Sequence, residues 1–291
     1  MDKLYEQLNL QFTEEGFNKA DEKSKEAYKI QVKHREELLS KIGQVLLVYT
    51  ILDSKLFLKG AEKLKLRSDF SKLISNIAID EFKKEKTIIN NILEEATEDK
   101  YYSSTYILNI GLDFKLQKIT DKQIKSIVDT AIDGELWSDR LWTNKKDLEK
   151  TLNLEIERFL QGKTNVNKIN NVIKDRFNQN AFNTRRLVQT ETARCQNQVN
   201  DVFAEDHSIE EQMYTSTLDN ATSKFCREHD GKRYKINDPN KPSLPAHPFC
   251  RSCYINIPFK GWKPKVRKDN ITKEYIPYIN YKEWLEQQDI K

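Results

Sequence analysis

The first 238 residues of this 291-residue chain contain no proline. Six of the seven prolines, Pro239, Pro242, Pro245, Pro248, Pro258 and Pro264, fall between 239 and 264, and Pro277 lies just beyond them. Proline removes a backbone donor and clashes with the preceding helical turn, so a proline-free run of that length favours helix and the proline-rich end must fold differently. Charged residues make up 32% of the chain and hydrophobic residues 37%. That balance suits amphipathic helices with solvated faces better than a deeply buried sheet. The expected fold class is α+β, mostly α-helical: long N-terminal helices and a helical middle, followed by a small antiparallel β module.

Apolar spacing carries the same reading along the chain. Ile30, Val32, Leu38, Leu39, Ile42, Val45 and Leu46 recur at three and four residues, the helical period. Ser68 or Asp69 offers a cap for a second helix bearing Phe70, Leu73, Ile74, Ile77 and Phe82. Tyr101–Leu116, rich in Tyr, Ile and Thr, suits either strand or helix. Three capped patterns follow, after Thr120-Asp121, after Asn144 and after Asn165, the second closed by Gly162 as a helix C-cap. A further helix is expected from about Thr184 through Phe203. Beyond Asp206, Met213–Leu218, Lys232–Ile236 and Cys250–Ile257 read as a three-stranded meander, with Asp230-Gly231 as a turn signal. The expected regions are 1–118 (N-terminal helices), 119–206 (helical core), 207–260 (β module) and 261–291 (basic C-terminal tail).

The net charge is +4, unevenly spread: residues 222–291 carry 15 Lys and Arg against 8 Asp and Glu, while residues 1–100 carry 18 against 19. A basic end fits a nucleic-acid backbone or an acidic protein surface. Lys260, Lys263, Lys265, Arg267 and Lys268, set around Trp262 and Tyr275, are the candidate contacts. The first ten residues lack the basic-then-apolar order of a signal peptide. Val45–Leu52, the longest apolar run, falls far short of the roughly 20 residues a membrane-spanning helix needs. A cytosolic protein without a membrane segment is expected, and its four cysteines are therefore read for metal before disulfides.

His247, Cys250 and Cys253 stand in H-x2-C-x2-C spacing, and Cys226 lies upstream, just before the Asp230-Gly231 turn. Tetrahedral zinc takes four nitrogen or sulfur ligands, and two short clusters folded together by a hairpin make a small zinc module. A small, loop-rich sheet needs such a staple. The expected ligands are Cys226, His247, Cys250 and Cys253, with His229 as a competitor. A catalytic zinc would need an open position and a fixed base, and neither Glu228 nor Asp230 is fixed as one, so a closed structural site and a non-enzymatic protein are expected.

Glu191 falls beside the apolar stripe of its helix, where a carboxylate must be paired; Arg194, three residues on, is the natural partner. Gln189-x-Glu191 also matches the acidic signature of ADP-ribosyltransferases, but in a helical context and with Thr215-Ser216-Thr217 following instead of preceding it.

Four segments occur together in a familiar order: Arg186–Arg194, Thr217–Ser223, Cys226–Lys232 and His247–Ser252. With Trp137–Trp142 upstream, this set resembles the phage Mu F-like minor head proteins, also called head morphogenesis proteins, over about 135 to 258. The resemblance makes Arg186, Thr190, Glu191, Arg194, Asp230, Gly231 and Arg251 structural motif residues. It implies a virion protein at the capsid interior or portal vertex, present in the host cytoplasm during assembly. Its implied partners are the portal, other capsid or connector proteins and phage DNA, and its implied role is head assembly and DNA packaging or ejection. Some members carry a cysteine where Ser223 stands here, which leaves the fourth ligand to Cys253. The competing readings are a zinc-dependent nuclease using His247 or His229 as base, and an ADP-ribosyltransferase using Glu191.

Overall fold

The computed structural model describes residues 2–110 and 117–288. The chain is α+β and mostly helical, as expected. In order it forms α1 (Asp2–Val48), β1 (Ile51–Leu52), β2 (Lys55–Leu56), α2 (Gly60–Leu108), α3 (Asp121–Val128), α4 (Trp137–Leu160) and α5 (Ile169–Asp206). Then follow β3 (Glu211–Thr215), α6 (Lys224–His229), β4 (Arg233–Lys235), β5 (Cys253–Asn256), β6 (Val266–Lys268), β7 (Tyr275–Pro277) and α7 (Tyr281–Gln288).

The helices are longer than the apolar clusters alone imply. The second begins at Gly60, eight residues before its expected cap. The two helices expected from Asn165 and Thr184 are one helix, α5, because no proline or glycine interrupts residues 163–206. Residues 101–108 close α2, and residues 111–116 of the Tyr101–Leu116 stretch lie outside the described residues. Asp53 and Ser54 both take positive φ, 48° and 60°, as the two-residue turn of the β1–β2 hairpin requires. Gly162 adopts φ 67° just past α4, the C-terminal stop anticipated for it.

Chain contacts divide the protein into two units: Met1–Glu22, Asn91–Thr130 and Val188–Lys291 make the first, and Lys23–Asn90 with Ala131–Leu187 the second.

The second unit is a helical bundle. Leu38 and Ile42 of α1, Phe70 and Ile74 of α2, Leu152 and Phe159 of α4, and Ile173 of α5 are fully buried in one apolar cluster. The spacings of four and seven put these side chains on one stripe of each helix. A polar network also lies inside the bundle. The Lys145 ammonium donates to Glu81 at 2.9 Å, to Glu85 at 2.6 Å and to Asn180 at 3.0 Å, with all three charged side chains shut off from solvent. Gln31 and Thr184 complete the hydrogen bonding of Glu85, and His34 meets Glu81 at 3.3 Å.

The first unit holds the sheets. β3 is the central strand of a three-stranded antiparallel sheet with order β4-β3-β5, so the expected meander is not formed. The 17 residues between β4 and β5 carry the chain past β3, and β5 pairs on its free edge, with Thr215 opposite Cys253 and Gln212 opposite Asn256. Residues after 260 are folded onto this unit. They supply the antiparallel pair β6–β7 and the helix α7, with Trp262 and Trp284 fully buried. The Trp284 indole donates to Asp269 at 2.9 Å, and the Glu6 carboxylate of α1 accepts from the backbone of Lys265 and Val266.

Candidate metal centre

Three of the four expected ligands converge. Cys226 Sγ lies 3.5 Å from His247 Nε2 and 3.8 Å from Cys250 Sγ, and the three ligand atoms fall within 4.8 Å of one another. Each is placed by local backbone chemistry. Ser223 caps α6, its hydroxyl accepting the Cys226 N–H at 3.3 Å, which points Cys226 from the first turn of the helix. His247 Nδ1 meets the Pro248 carbonyl at 2.8 Å. The proton that bond needs belongs on Nδ1, which leaves Nε2 as the lone-pair nitrogen facing the cysteines. Phe249 turns the chain between His247 and Cys250 with φ 59°, a left-handed conformation costly for a side chain with a Cβ. The Thr190 hydroxyl accepts the Phe249 N–H at 3.2 Å, which ties this turn to α5.

The electrostatics prepare a thiolate. The Cys226 thiol is lowered to about 4, first by the hydrogen bond from Cys250 and further by Ser223, Ser252 and Tyr214. Cys250 is raised, first by the same bond and then by burial, so the two thiols share one proton. Tyr214 Oη donates to Cys226 Sγ at 3.2 Å. This supporting hydroxyl carries no signal in the local sequence, because β3 brings it to α6 from twelve residues away. The group of Cys226, His247 and Cys250 could hold a metal ion.

Cys253 is not part of it. Tyr254 packs with Cys226, Cys250 and Tyr214, whereas Ile255 packs with Met213 and Trp262. Successive strand residues face opposite ways, so Cys253 points with Ile255 to the far side of the sheet. There it is buried beside Lys100 and Thr13, and burial pushes its thiol up. His229 is also elsewhere: its ring stacks on Phe225 at 4.2 Å between centroids, and its Nδ1 meets the Phe225 carbonyl at 2.8 Å.

Apart from Arg186, the remaining motif residues brace this unit. Glu191, 1% exposed, is ion-paired with Arg194 at 2.6 Å, and the Arg194 guanidinium donates onward to the carbonyls of Ile127 and Val128 at the end of α3. A carboxylate so enclosed is not open to a substrate. Arg194→Ala is expected to cost about 3–5 kcal/mol by stranding Glu191 without its cation, read from urea unfolding of both proteins. Asp230 is a buried hub: it accepts from the Ser216 N–H and hydroxyl, from Arg267 and from the Tyr281 N–H. Next to it, Gly231 has φ 75°, and a Cβ there would come 2.8 Å from Tyr278 Oη. Gly231→Ala is expected to lose about 1–3 kcal/mol in the same measurement. Arg251 pairs with Asp219 at 2.5 Å. Arg186, on α5, is solvent-exposed and belongs to the other unit.

The basic cluster divides. Lys260, Lys263 and Lys265 are exposed, but Arg267 is 1% exposed and bonded to Asp230 and the Ser216 carbonyl, and Lys268 is paired with Glu14. Arg267 and Lys268 are thus withdrawn from any phosphate backbone. Folding turns them inward because their partners, Asp230 and Glu14, lie far away in sequence.

With this geometry in place, comparison with known proteins adds one relative. The chain is 26% identical over 273 residues to the NAD(+)–arginine ADP-ribosyltransferase EFV of Enterococcus faecalis (strain ATCC 700802 / V583). The alignment takes in 86% of this chain and 55% of that protein, so the chain spans about half the length of the curated relative it matches. No family model matches the chain, and no solved structure does. The expectation of a non-enzymatic protein does not stand beside this relative, which is named for a transferase.

Proposed function

We propose that the protein works in NAD+-dependent ADP-ribosylation with arginine as acceptor, and that its Cys226–His247–Cys250 centre is a structural zinc site within that protein. The observation that supports the enzymatic reading is the similarity over most of the chain to an arginine ADP-ribosyltransferase. The decisive assay incubates folded protein with labelled NAD+ and an arginine-rich acceptor. Label on the acceptor, released by hydroxylamine-type cleavage of an arginine linkage, is the expected result. Absence of both transfer and NAD+ hydrolysis overturns the reading.

The zinc assignment rests on distances. Tetrahedral zinc, with Zn–S near ~2.3 Å and Zn–N near ~2.0 Å, holds two sulfurs about 3.8 Å apart and a sulfur and nitrogen about 3.5 Å apart. The corresponding separations are 3.8 Å and 3.5 Å. Two cysteines and one histidine are a zinc-type donor set, and Nε2 and the Cys226 thiolate need no rearrangement to bind. Bound zinc would cross-link α6 to the 247–250 loop.

A second reading is favoured by one observation. Apart from Trp137–Trp142 and Arg186, which lie in the second unit, the segments that resemble Mu F-like head proteins meet in the first: Thr190 holds the 247–250 turn, Arg251 pairs with Asp219, and Asp230 anchors the β3 end. On this reading the chain is a portal-associated head morphogenesis protein of a phage or prophage. Co-purification with a co-expressed portal protein supports it, and a lack of portal affinity in the metal-loaded protein counts against it. The two readings are compatible, because one concerns the body of the protein and the other its chemistry.

A further inference from the structure

The second unit carries an apolar surface at one end of its helical bundle. α1 ends there, the β1–β2 hairpin makes the turn, and α2 begins just beyond it. The connection from α4 to α5 lies at the same end, because the Val166 N–H donates to the Ser54 carbonyl at 2.9 Å. Leu47, Val48, Ile51, Leu52, Phe57 and Leu64 are all exposed, six large apolar side chains within eighteen residues. The rest of the described chain exposes nine more, spread through the sequence. A scattered apolar residue needs no explanation, but a concentration of this kind marks an interaction site.

The same segments are rich in lysine. Residues 41–65 and 161–168 hold seven lysines against Asp53 and Glu62, a net charge of +5, while the whole chain carries +4. Lys55, Lys59, Lys65, Lys163 and Lys168 are exposed and make no ion pair among the described residues. The bundle beneath closes without these side chains, on Leu56 and Leu66 of the same segment.

Charge and shape decide which partner fits. A second copy docked end to end would set like charges against each other, so the occupant is anionic. Leu47 is 88% exposed, Val48 75% and Leu64 68%, as only side chains that project into solvent can be. Projecting side chains line no groove for a partner's helix or strand, whereas a bilayer interface accepts them without a matching pocket. Lysines beside them then meet the anionic headgroups.

We propose that this end of the bundle docks on the surface of an anionic phospholipid bilayer, its apolar side chains entering the interface and its lysines on the headgroups. The contact is with the interface alone: no described helix is long and apolar enough to cross a membrane. The inference stands apart from the ADP-ribosylation reading and from the metal centre, whose residues lie in the first unit.

The test is sedimentation of the full chain with vesicles of equal parts phosphatidylcholine and phosphatidylserine, against vesicles of phosphatidylcholine alone. Binding to the mixed vesicles is expected to be at least about tenfold tighter, and to weaken as salt is raised. Leu52→Ser with Phe57→Ser removes two exposed apolar side chains, and Lys55→Glu with Lys59→Glu reverses two exposed charges. Both double variants should fold, as checked by circular dichroism and Tm, and each should lose at least about tenfold in vesicle affinity. Lys260→Glu with Lys263→Glu, at exposed positions of the first unit, should keep the wild-type affinity. No binding to the mixed vesicles overturns the proposal, as does equal binding to the neutral ones. Wild-type affinity in either of the first two variants, or its loss in the third, also overturns it; should one of the first two fail to fold, the other decides. A dimer dissolved by Leu52→Ser with Phe57→Ser, or poly-glutamate bound more tightly than the vesicles and released by the same change, assigns this end to another partner and overturns it too.

Discussion

If the Cys226–His247–Cys250 centre holds zinc as proposed, stripping the metal by chelation or by Cys250→Ser is expected to unfold the loop from 236 to 252 and the α6 turn while most of the helical signal survives. Structural zinc contributes about 10–16 kcal/mol in small zinc-dependent peptides at neutral pH, and much of that free energy appears as folding free energy. In this chain the metal would join α6 to a proline-rich loop that, among the described residues, buries just Leu244 beside the ligands, against Tyr214 of β3 and Tyr254 of β5. The second unit has its own apolar core and no part in the site, so it should keep its helicity. The measurement pairs elemental analysis with circular dichroism and limited proteolysis. One zinc per chain, lost in Cys250→Ser together with protection of residues 236–252, is the expected result. A metal-free wild type with that segment fully protected would falsify the zinc assignment. Cys253→Ser separates the ligand sets: because Cys253 points to the other side of the sheet, it should leave the zinc content unchanged.

The second large effect lies in the helical bundle. Lys145→Met is expected to destabilise the protein by about 3–5 kcal/mol at neutral pH, because it strands Glu81 and Glu85 in the interior. The pH dependence has a definite sign. Burial raises Glu81, but Lys145, His34 and Asn180 outweigh it and hold the carboxyl below its ordinary range, so its pairing stabilises above that range and is lost as pH falls. Glu85 is raised, because burial and the Glu81 charge outweigh Lys145. Without Lys145 both carboxyls shift upward and protonate sooner on acidification. The deficit of the variant relative to wild type should therefore shrink as pH is lowered from neutral through the carboxylate range. Urea midpoints at a series of pH values decide it. A deficit that stays constant or grows toward acid would show that Lys145 acts through packing instead of charge. Lys145→Met combined with Glu85→Gln should recover part of the loss, since one of the two stranded charges is gone.

The ADP-ribosylation reading and the Glu191 geometry bear on each other. Glu191 carried the enzymatic signature in the sequence, yet its carboxylate is spent on Arg194 within a buried network that holds α5 to the end of α3. If the protein transfers ADP-ribose, the reacting carboxylate is another one. The Gln189-x-Glu191 spacing was a true feature of the chain with a structural explanation, and only the burial of its surroundings distinguishes the two.

What the sequence by itself determined was local. A proline-free run, the three-and-four spacing of apolar residues, the Gly162 stop and the Thr120 cap all act within a few residues, so the helical class and several element ends followed from composition and period. The convergence of Cys226, His247 and Cys250 was legible for the same reason: the short H-x2-C spacing and a turn signal constrain a small loop strongly. Tertiary structure alone decided the rest. Strand order put β3 in the centre, and the alternation along β5 sent Cys253 away from the site that its spacing had suggested. Partners far away in sequence drew Arg267 and Lys268 inward from a stretch that reads as a solvated basic tail. The Lys145 network has no local signal at all. It arises where helices distant in sequence enclose a charge, and the cost of burying that charge depends only on what the fold brings to meet it.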